Sequence, residues 1–160
     1  MPLLAKRAHA IKAIYGAEPC AGLHAELRAR AEEEGLGGKY HILPCGAEAG
    51  ELVPELQREG LLPAGDDVEE VLARTGGVFD TIVCVRVLCS VPELQKTAGE
   101  LYALLRPGGK LLVVEHVVNP WRTAKGSIVA RVMQAVYGFF GWSWFIGNCC
   151  LDRDTERVLR

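Results

Sequence analysis

Apolar positions along this chain follow two periods, and the two alternate. Four short runs are dense in β-branched and aromatic residues: IKAIYGAEP, KYHILPCGAE, FDTIVCVRVL and KLLVVEHV. They read as strands, the second spanning Tyr40 to Leu43. The run from Thr81 to Val85 is almost unbroken in apolar β-formers, which predicts a strand buried on both faces. The stretches between have helical spacing. CAGLHAELRARAEEEG puts Leu23, Leu27 and Ala31 on one face, with Pro19 to open the helix and Gly35 to close it. Residues 47–62 look helical but carry Pro54, which predicts a break. LLPAGDDVEEVLARTGG reads as a surface insertion, with Asp66 or Asp67 capping a short helix that holds Val68, Val71 and Leu72. Ser90 and Glu93 have the spacing of a capping box ahead of Leu94, Ala98, Leu101 and Leu105. Pro107 and Gly108 suit the centre of a type II turn, and LLAKRAHA at residues 3–10 favours helix.

Strand and helix therefore alternate four times. That order predicts an α/β fold: right-handed crossovers and a doubly wound parallel sheet covered on both sides. A length of 160 residues suits one domain, 1–160, around one core. Internal repeats, linkers and low-complexity tracts are not evident.

Composition narrows the partners. A net charge of −2, with no basic excess, argues against nucleic acid. None of the six cysteines forms a CxxC pair or a zinc-spaced Cys/His cluster, so no metal site is expected. The N-terminus does not read as a secretion signal, so the thiols are expected reduced, in the cytoplasm. GSIVARVMQAVYGFFGWSWFIG, residues 126–147, is about long enough to span a bilayer, but Arg131 and Gln134 interrupt it. A buried helix with an aromatic wall is the main expectation, and contact with a membrane surface, making the protein peripheral, is the alternative.

In doubly wound sheets, ligands lie beyond the C-terminal ends of the strands. Here those ends carry Glu18, then Cys45-Gly46-Ala47-Glu48, then Arg86 to Ser90, then Glu115-His116. An acid such as Glu18 can accept both hydroxyls of a ribose, or it can be a solvated acid beside a helix N-terminus. A backbone N–H at Gly46 or Ala47 can bond a base edge, or the glycine can be an ordinary turn. Glu115 and His116 can act as acid, base or substrate-orienting pair, or simply cap a strand end. Cys84 and Cys89 sit in apolar sequence and read as core thiols, and Cys149-Cys150 makes no convincing metal site.

Together, IYGAEP, PCGAE, FDTIVCVRVLCSVPE and LRPGGKLLVVEHV resemble a class I S-adenosylmethionine-dependent methyltransferase over roughly residues 11–153. VLCSV, EHV and the later Asn-Cys stretch resemble its thiol- and lipid-associated branch. The resemblance implies a Rossmann-like sheet with S-adenosylmethionine as cofactor. It implies Glu18, with Pro19, at the ribose. It implies Gly46, Ala47 and Glu48 around the adenine. Val85, Arg86 and Val87 would lie near the methionine, and Glu115 and His116 on the acceptor side. Transfer from a sulfonium needs mainly positioning and desolvation, because the donor is already activated.

Two family elements are not found. The first strand with its glycine loop should precede the Glu18 strand, yet MPLLAKRAHAIK contains no glycine. The closing antiparallel hairpin should follow, but the sequence runs out at Arg160. The expectation is thus an incomplete, N-terminally truncated methyltransferase domain. The missing strand belongs mid-sheet, and each unpaired buried amide costs roughly 1–3 kcal/mol. The remaining strands would pair directly, or associate with a second copy or another chain. The function expected is methyl transfer to a small apolar acceptor, given the wall from Val132 to Ile146, with a thiol as acceptor by resemblance only. Cofactor binding is expected to be weak. The alternative is a non-catalytic module of the same fold that binds a protein partner. A nucleotide-binding dehydrogenase domain also places an acid after its second strand, but LRPGG and CGAE weigh against it.

Overall fold

The computed structural model describes Lys6 and residues 8–160. The chain divides between Pro63 and Ala64 into two compact units. Of the helix expected over residues 3–10, positions 3–5 and 7 lie outside the described residues, and Ala8–Ala10 form a 3-10 turn.

The first unit contains β1 (Ile14–Ala17), α1 (His24–Glu33), β2 (Tyr40–Leu43) and α2 (Ala49–Arg58). β1 and β2 pair in parallel, from Ile14 opposite Tyr40 to Ala17 opposite Leu43. Tyr15 stacks on His41 across the pair, with ring centroids 4.8 Å apart. Leu36, Leu43, Val53 and Leu56 are fully buried and form the centre of this unit.

Pro19 does not open α1. The Glu18 carboxylate takes the N–H of Cys20 at 2.8 Å, which holds a turn there, and a 3-10 turn at Ala21–Leu23 comes before the helix. Of the expected apolar stripe only Ala31 is buried, and Leu23 is exposed. Gly35 does close the helix. It adopts φ +70°, and the Gly35 and Leu36 N–H groups reach back to Glu32 and Ala31, a Schellman pattern.

α2 runs through Pro54 without the expected break. The proline removes one N–H, whose acceptor would have been the Gly50 carbonyl. Gly50 is exposed, so water can take that place. Ala49, Leu52, Val53 and Leu56 are buried along the same helix. Burial of a Leu or Val at about 1.5–3 kcal/mol each outweighs a mid-helix proline at about 3 kcal/mol.

The second unit begins with α3 (Val68–Thr75), capped by Asp67, whose Oδ1 accepts the Glu70 N–H at 3.0 Å. β3 (Phe79–Val85) and β4 (Leu105–Val114) pair in parallel, with α4 (Leu94–Ala103) between them in sequence. Register shifts where Phe79 faces Leu105 but Thr81 faces Lys110, and the Arg-Pro-Gly-Gly turn bulges out there. Gly108, at φ +80°, takes the left-handed place of that turn.

β3 is not buried on both faces. Cys84 is buried, but Val83 and Val85, like Leu112 and Val114 beside them, are exposed. The apolar run is continuous, yet the second unit covers only one side of this strand pair. The Ser90–Glu93 capping box is also absent: α4 starts at Leu94 with Glu93 as its uncapped boundary. Pro92 explains this, because it steers Val91 away from the helical conformation that a cap at Ser90 requires.

α5 (Ile128–Phe139), α6 (Trp142–Phe145) and α7 (Thr155–Val158) complete the unit. The expected burial of residues 126–147 is not seen. No residue of α5 is buried, and Phe139 and Trp144 are each 85% exposed. Among the described residues, no helix is long and apolar enough to cross a membrane.

Candidate functional site

The strand ends gather the expected residues within each unit. In the first, Glu18 follows β1, and its N–H still pairs with the Leu43 carbonyl at the end of β2 (2.9 Å). Its carbonyl meets His24 Nε2 at 2.8 Å. The half-buried Glu18 carboxylate bonds Cys20 N–H and lies near enough to Tyr40 to matter electrostatically. Burial, and then the charge of Glu18, push the Tyr40 hydroxyl above its ordinary pKa. Gly16 leaves room beside this group, since a Cβ there would run into the Tyr40 hydroxyl. Pro19 is exposed beside Glu18.

Gly46, Ala47 and Glu48 lie half-buried between β2 and α2. The Gly46 N–H, expected to be open to a base edge, donates to Glu51 at 2.7 Å. The Glu48 carbonyl accepts the Glu51 and Leu52 N–H groups that start α2. Burial raises the neighbouring Cys45 thiol to about 11, helped by the charges of Glu55 and Glu51.

In the second unit, β3 ends at Val85 and the chain turns at Arg86, a non-glycine residue at φ +57°. The Arg86 N–H is bonded to the Val114 carbonyl at 2.8 Å. The next three amides converge on Glu115. Its Oε1 accepts Val87 N–H at 2.8 Å and Leu88 N–H at 2.9 Å, and its Oε2 accepts Cys89 N–H at 3.0 Å. Three charge-assisted bonds largely occupy this carboxylate, so its place in the geometry is to shape the loop after β3.

His116 lies beyond it. Its Nδ1 is 3.1 Å from Cys149 Sγ and 3.7 Å from Cys89 Sγ, and the two sulfurs are 3.5 Å apart. Cys89 and Cys149 are buried, and the Trp142 ring stands edge-on to the imidazole. The segment carrying Cys149 is stitched in place by Cys150 N–H to the Cys89 carbonyl at 2.8 Å. Arg153 continues this by donating to the carbonyls of Leu88 and Val91. Burial raises the Cys84 thiol to about 11, with Glu115 adding to it, and burial is also the main cause raising Cys89. Sequence spacing had no way to find this trio. Cys89 and His116 follow neighbouring parallel strands, which was legible, but Cys149 arrives from 33 residues further on.

Beside this trio opens a cleft of about 390 Å³. Arg131, Gln134, Trp142, Ser143, Cys149 and Asp152 are among its walls.

Parallel strand pairs with helices between them are the units of a Rossmann-like α/β fold, and acids, glycines and turns at their C-terminal ends are how that fold holds a nucleoside. A family model described as a methyltransferase domain matches residues 3–142, across both units. The chain belongs to this family of methyltransferases, whose class I members use S-adenosylmethionine. It is 38% identical over 105 residues to the human thiol S-methyltransferase TMT1B, covering 65% of this chain and 39% of that protein. The human thiol S-methyltransferase TMT1A is 37% identical over 99 residues, or 62% of this chain and 37% of its own length. A highly reducing polyketide synthase of Strobilurus tenacellus, stpks1, matches at 32% over 87 residues, which is 51% of this chain and 3% of that much larger protein. The chain thus spans well under half the length of these relatives. Relatives named as methyltransferases do not favour a non-catalytic module.

Proposed function

We propose that this chain carries out methyl transfer from S-adenosylmethionine to a small apolar acceptor, and that the acceptor atom is a thiol sulfur. The observation that carries the reading is Glu18: a half-buried carboxylate at the C-terminal end of β1, fixed through its own backbone to the end of β2. There it accepts the ribose hydroxyls, while Pro19 stiffens the turn behind it. Gly46, Ala47 and Glu48 border the adenine. With the Gly46 N–H held by Glu51, backbone contact to the base falls to Ala47.

Val85, Arg86 and Val87 form the loop assigned to the methionine end of the cofactor, and Glu115 holds that loop in shape. Glu115 is then a positioning residue, and His116 faces the acceptor. We take residues 1–160 as one methyltransferase domain, because the family match runs unbroken across both units. The names of the human relatives support the thiol acceptor.

Incubation with methyl-labelled S-adenosylmethionine and a small alkyl thiol tests the reading. Labelled thioether, lost in Glu18→Ala, is expected. Label passing instead to an alcohol or amine acceptor, or a Glu18→Ala rate equal to the parent's, overturns it.

A second reading concerns location. Ile128, Val129, Val132, Phe139, Phe140, Trp144 and Phe145 are all exposed, and Arg122 and Lys125 precede them. Exposed aromatic and aliphatic side chains next to cations suit the interface of a membrane, so the protein is peripheral rather than purely cytoplasmic.

A further inference from the structure

We propose that Cys89, His116 and Cys149 hold one Zn²⁺ ion, with a fourth coordination position left open. The three donor atoms lie within 4.8 Å of one another. Bond lengths of about 2.3 Å to sulfur and about 2.0 Å to nitrogen, at tetrahedral angles, require S···S of about 3.8 Å and S···N of about 3.6 Å. The observed edges are 3.5 Å between the sulfurs, and 3.7 and 3.1 Å from Nδ1 to Cys89 and Cys149. Shifts of a few tenths of an ångström, within the reach of side-chain rotation, therefore admit the ion.

The donor set selects the metal. Two thiolates and an imidazole are soft to borderline ligands, which suit Zn²⁺ and reject Mg²⁺ and Ca²⁺. Charge balances as well: the ion displaces one proton from each thiol to solvent, and two thiolates neutralise it. A neutral assembly is what a buried site tolerates, and Cys89 and Cys149 are only 0% and 3% exposed. The supporting shell is already built. The Cys89 N–H is tied to Glu115, its carbonyl to Cys150 N–H, and the Trp142 ring stands perpendicular to the imidazole.

Three protein ligands make an open rather than a closed site. Cys149 lines the 390 Å³ cleft, so the remaining position is reachable by a small molecule. Water fills it at rest. An external thiol replaces that water, losing its proton to solvent as its sulfur binds the ion; this last step rests on the thiol-acceptor reading above.

Co²⁺ serves as the spectroscopic probe. The reduced full chain should bind one Co²⁺, with the visible bands of a tetrahedral ion and near-ultraviolet thiolate charge transfer, and Zn²⁺ should displace it. Cys89→Ser, Cys149→Ser and His116→Ala should each weaken binding by more than about tenfold, the loss that even outer-shell partners cause. Cys20→Ser and Cys150→Ser should leave it intact. Circular dichroism checks that the variants fold, and the spectrum of the unsubstituted chain decides on its own if they do not. Absence of thiolate bands in that spectrum, or their survival in Cys149→Ser, overturns the site. Addition of 2-mercaptoethanol should then strengthen and shift the charge-transfer band. A site that binds Co²⁺ but ignores the thiol overturns the open position alone, and neither result depends on binding of the methyl donor.

Discussion

The Glu115 carboxylate accepts the backbone N–H of Cys89 at 3.0 Å, joining the end of β4 to a loop 26 residues earlier in the chain. Val87 and Leu88 share its other oxygen. Glu115→Gln keeps the shape but removes the charge and sets an NH₂ against one of these amides. It should lower unfolding stability by about 2 kcal/mol or more, read as a drop in urea midpoint at unchanged slope. Glu115→Asp, one methylene short, should fall between the two. A change in methyl transfer with no change in stability would instead mark Glu115 as an acid or base.

Pro54 gives a prediction of the opposite sign. α2 is continuous through it, so Pro54→Ala restores a helix hydrogen bond without disturbing the buried stripe. Stability should rise by about 1–3 kcal/mol in the same urea titration. A helix broken at this point would gain nothing.

Thiol ionisation sets a limit at high pH. Cys45 and Cys84 are raised from 9.0 to about 11, chiefly by burial. A raised pKa means that the folded state disfavours the thiolate. The contribution to stability is therefore complete below pH 9 and is lost as the pH climbs to about 11. Urea midpoints should decline over that window, and less steeply in the Cys45→Ser/Cys84→Ser double variant. Iodoacetamide at pH 8 should modify exposed Cys20 well before either buried thiol.

The exposed apolar face of α5 and α6 should carry the chain onto lipid vesicles. Sedimentation with vesicles containing anionic lipid should pull it down, and Phe139→Ser/Trp144→Ser should lower the partition constant more than tenfold, as expected from about 1.5–3 kcal/mol per large apolar side chain. Equal sedimentation of parent and variant would show that this face does not meet the bilayer.

Strand positions were legible because each needs only a local run of β-formers: the reading of Tyr40 to Leu43 coincides with β2. The caps at Asp67 and Gly35 were legible for the same reason, since their bonds span only a few residues. Errors arose where distant contacts decide. Pro54 breaks an isolated helix but not one anchored by Leu52, Val53 and Leu56. Ser90 has the spacing of a cap, yet Pro92 moves the helix start. Apolar content marks Val83 and Val132 as core, whereas both are exposed, because burial depends on what covers a face and not on the face itself. The methyltransferase motifs were readable as sequence. The three amides on Glu115 and the sulfurs around His116 were not, since both join residues more than 25 positions apart.

The proposed function requires a nucleoside at the ends of β1 and β2. Titration of the ¹⁵N-labelled chain with S-adenosylmethionine, followed amide by amide, addresses this even when binding is weak. Shifts concentrated at Glu18, Cys20 and Ala47, and abolished in Glu18→Ala, are the predicted result. Saturating ligand that leaves those amides unmoved, or moves them equally in Glu18→Ala, would contradict it.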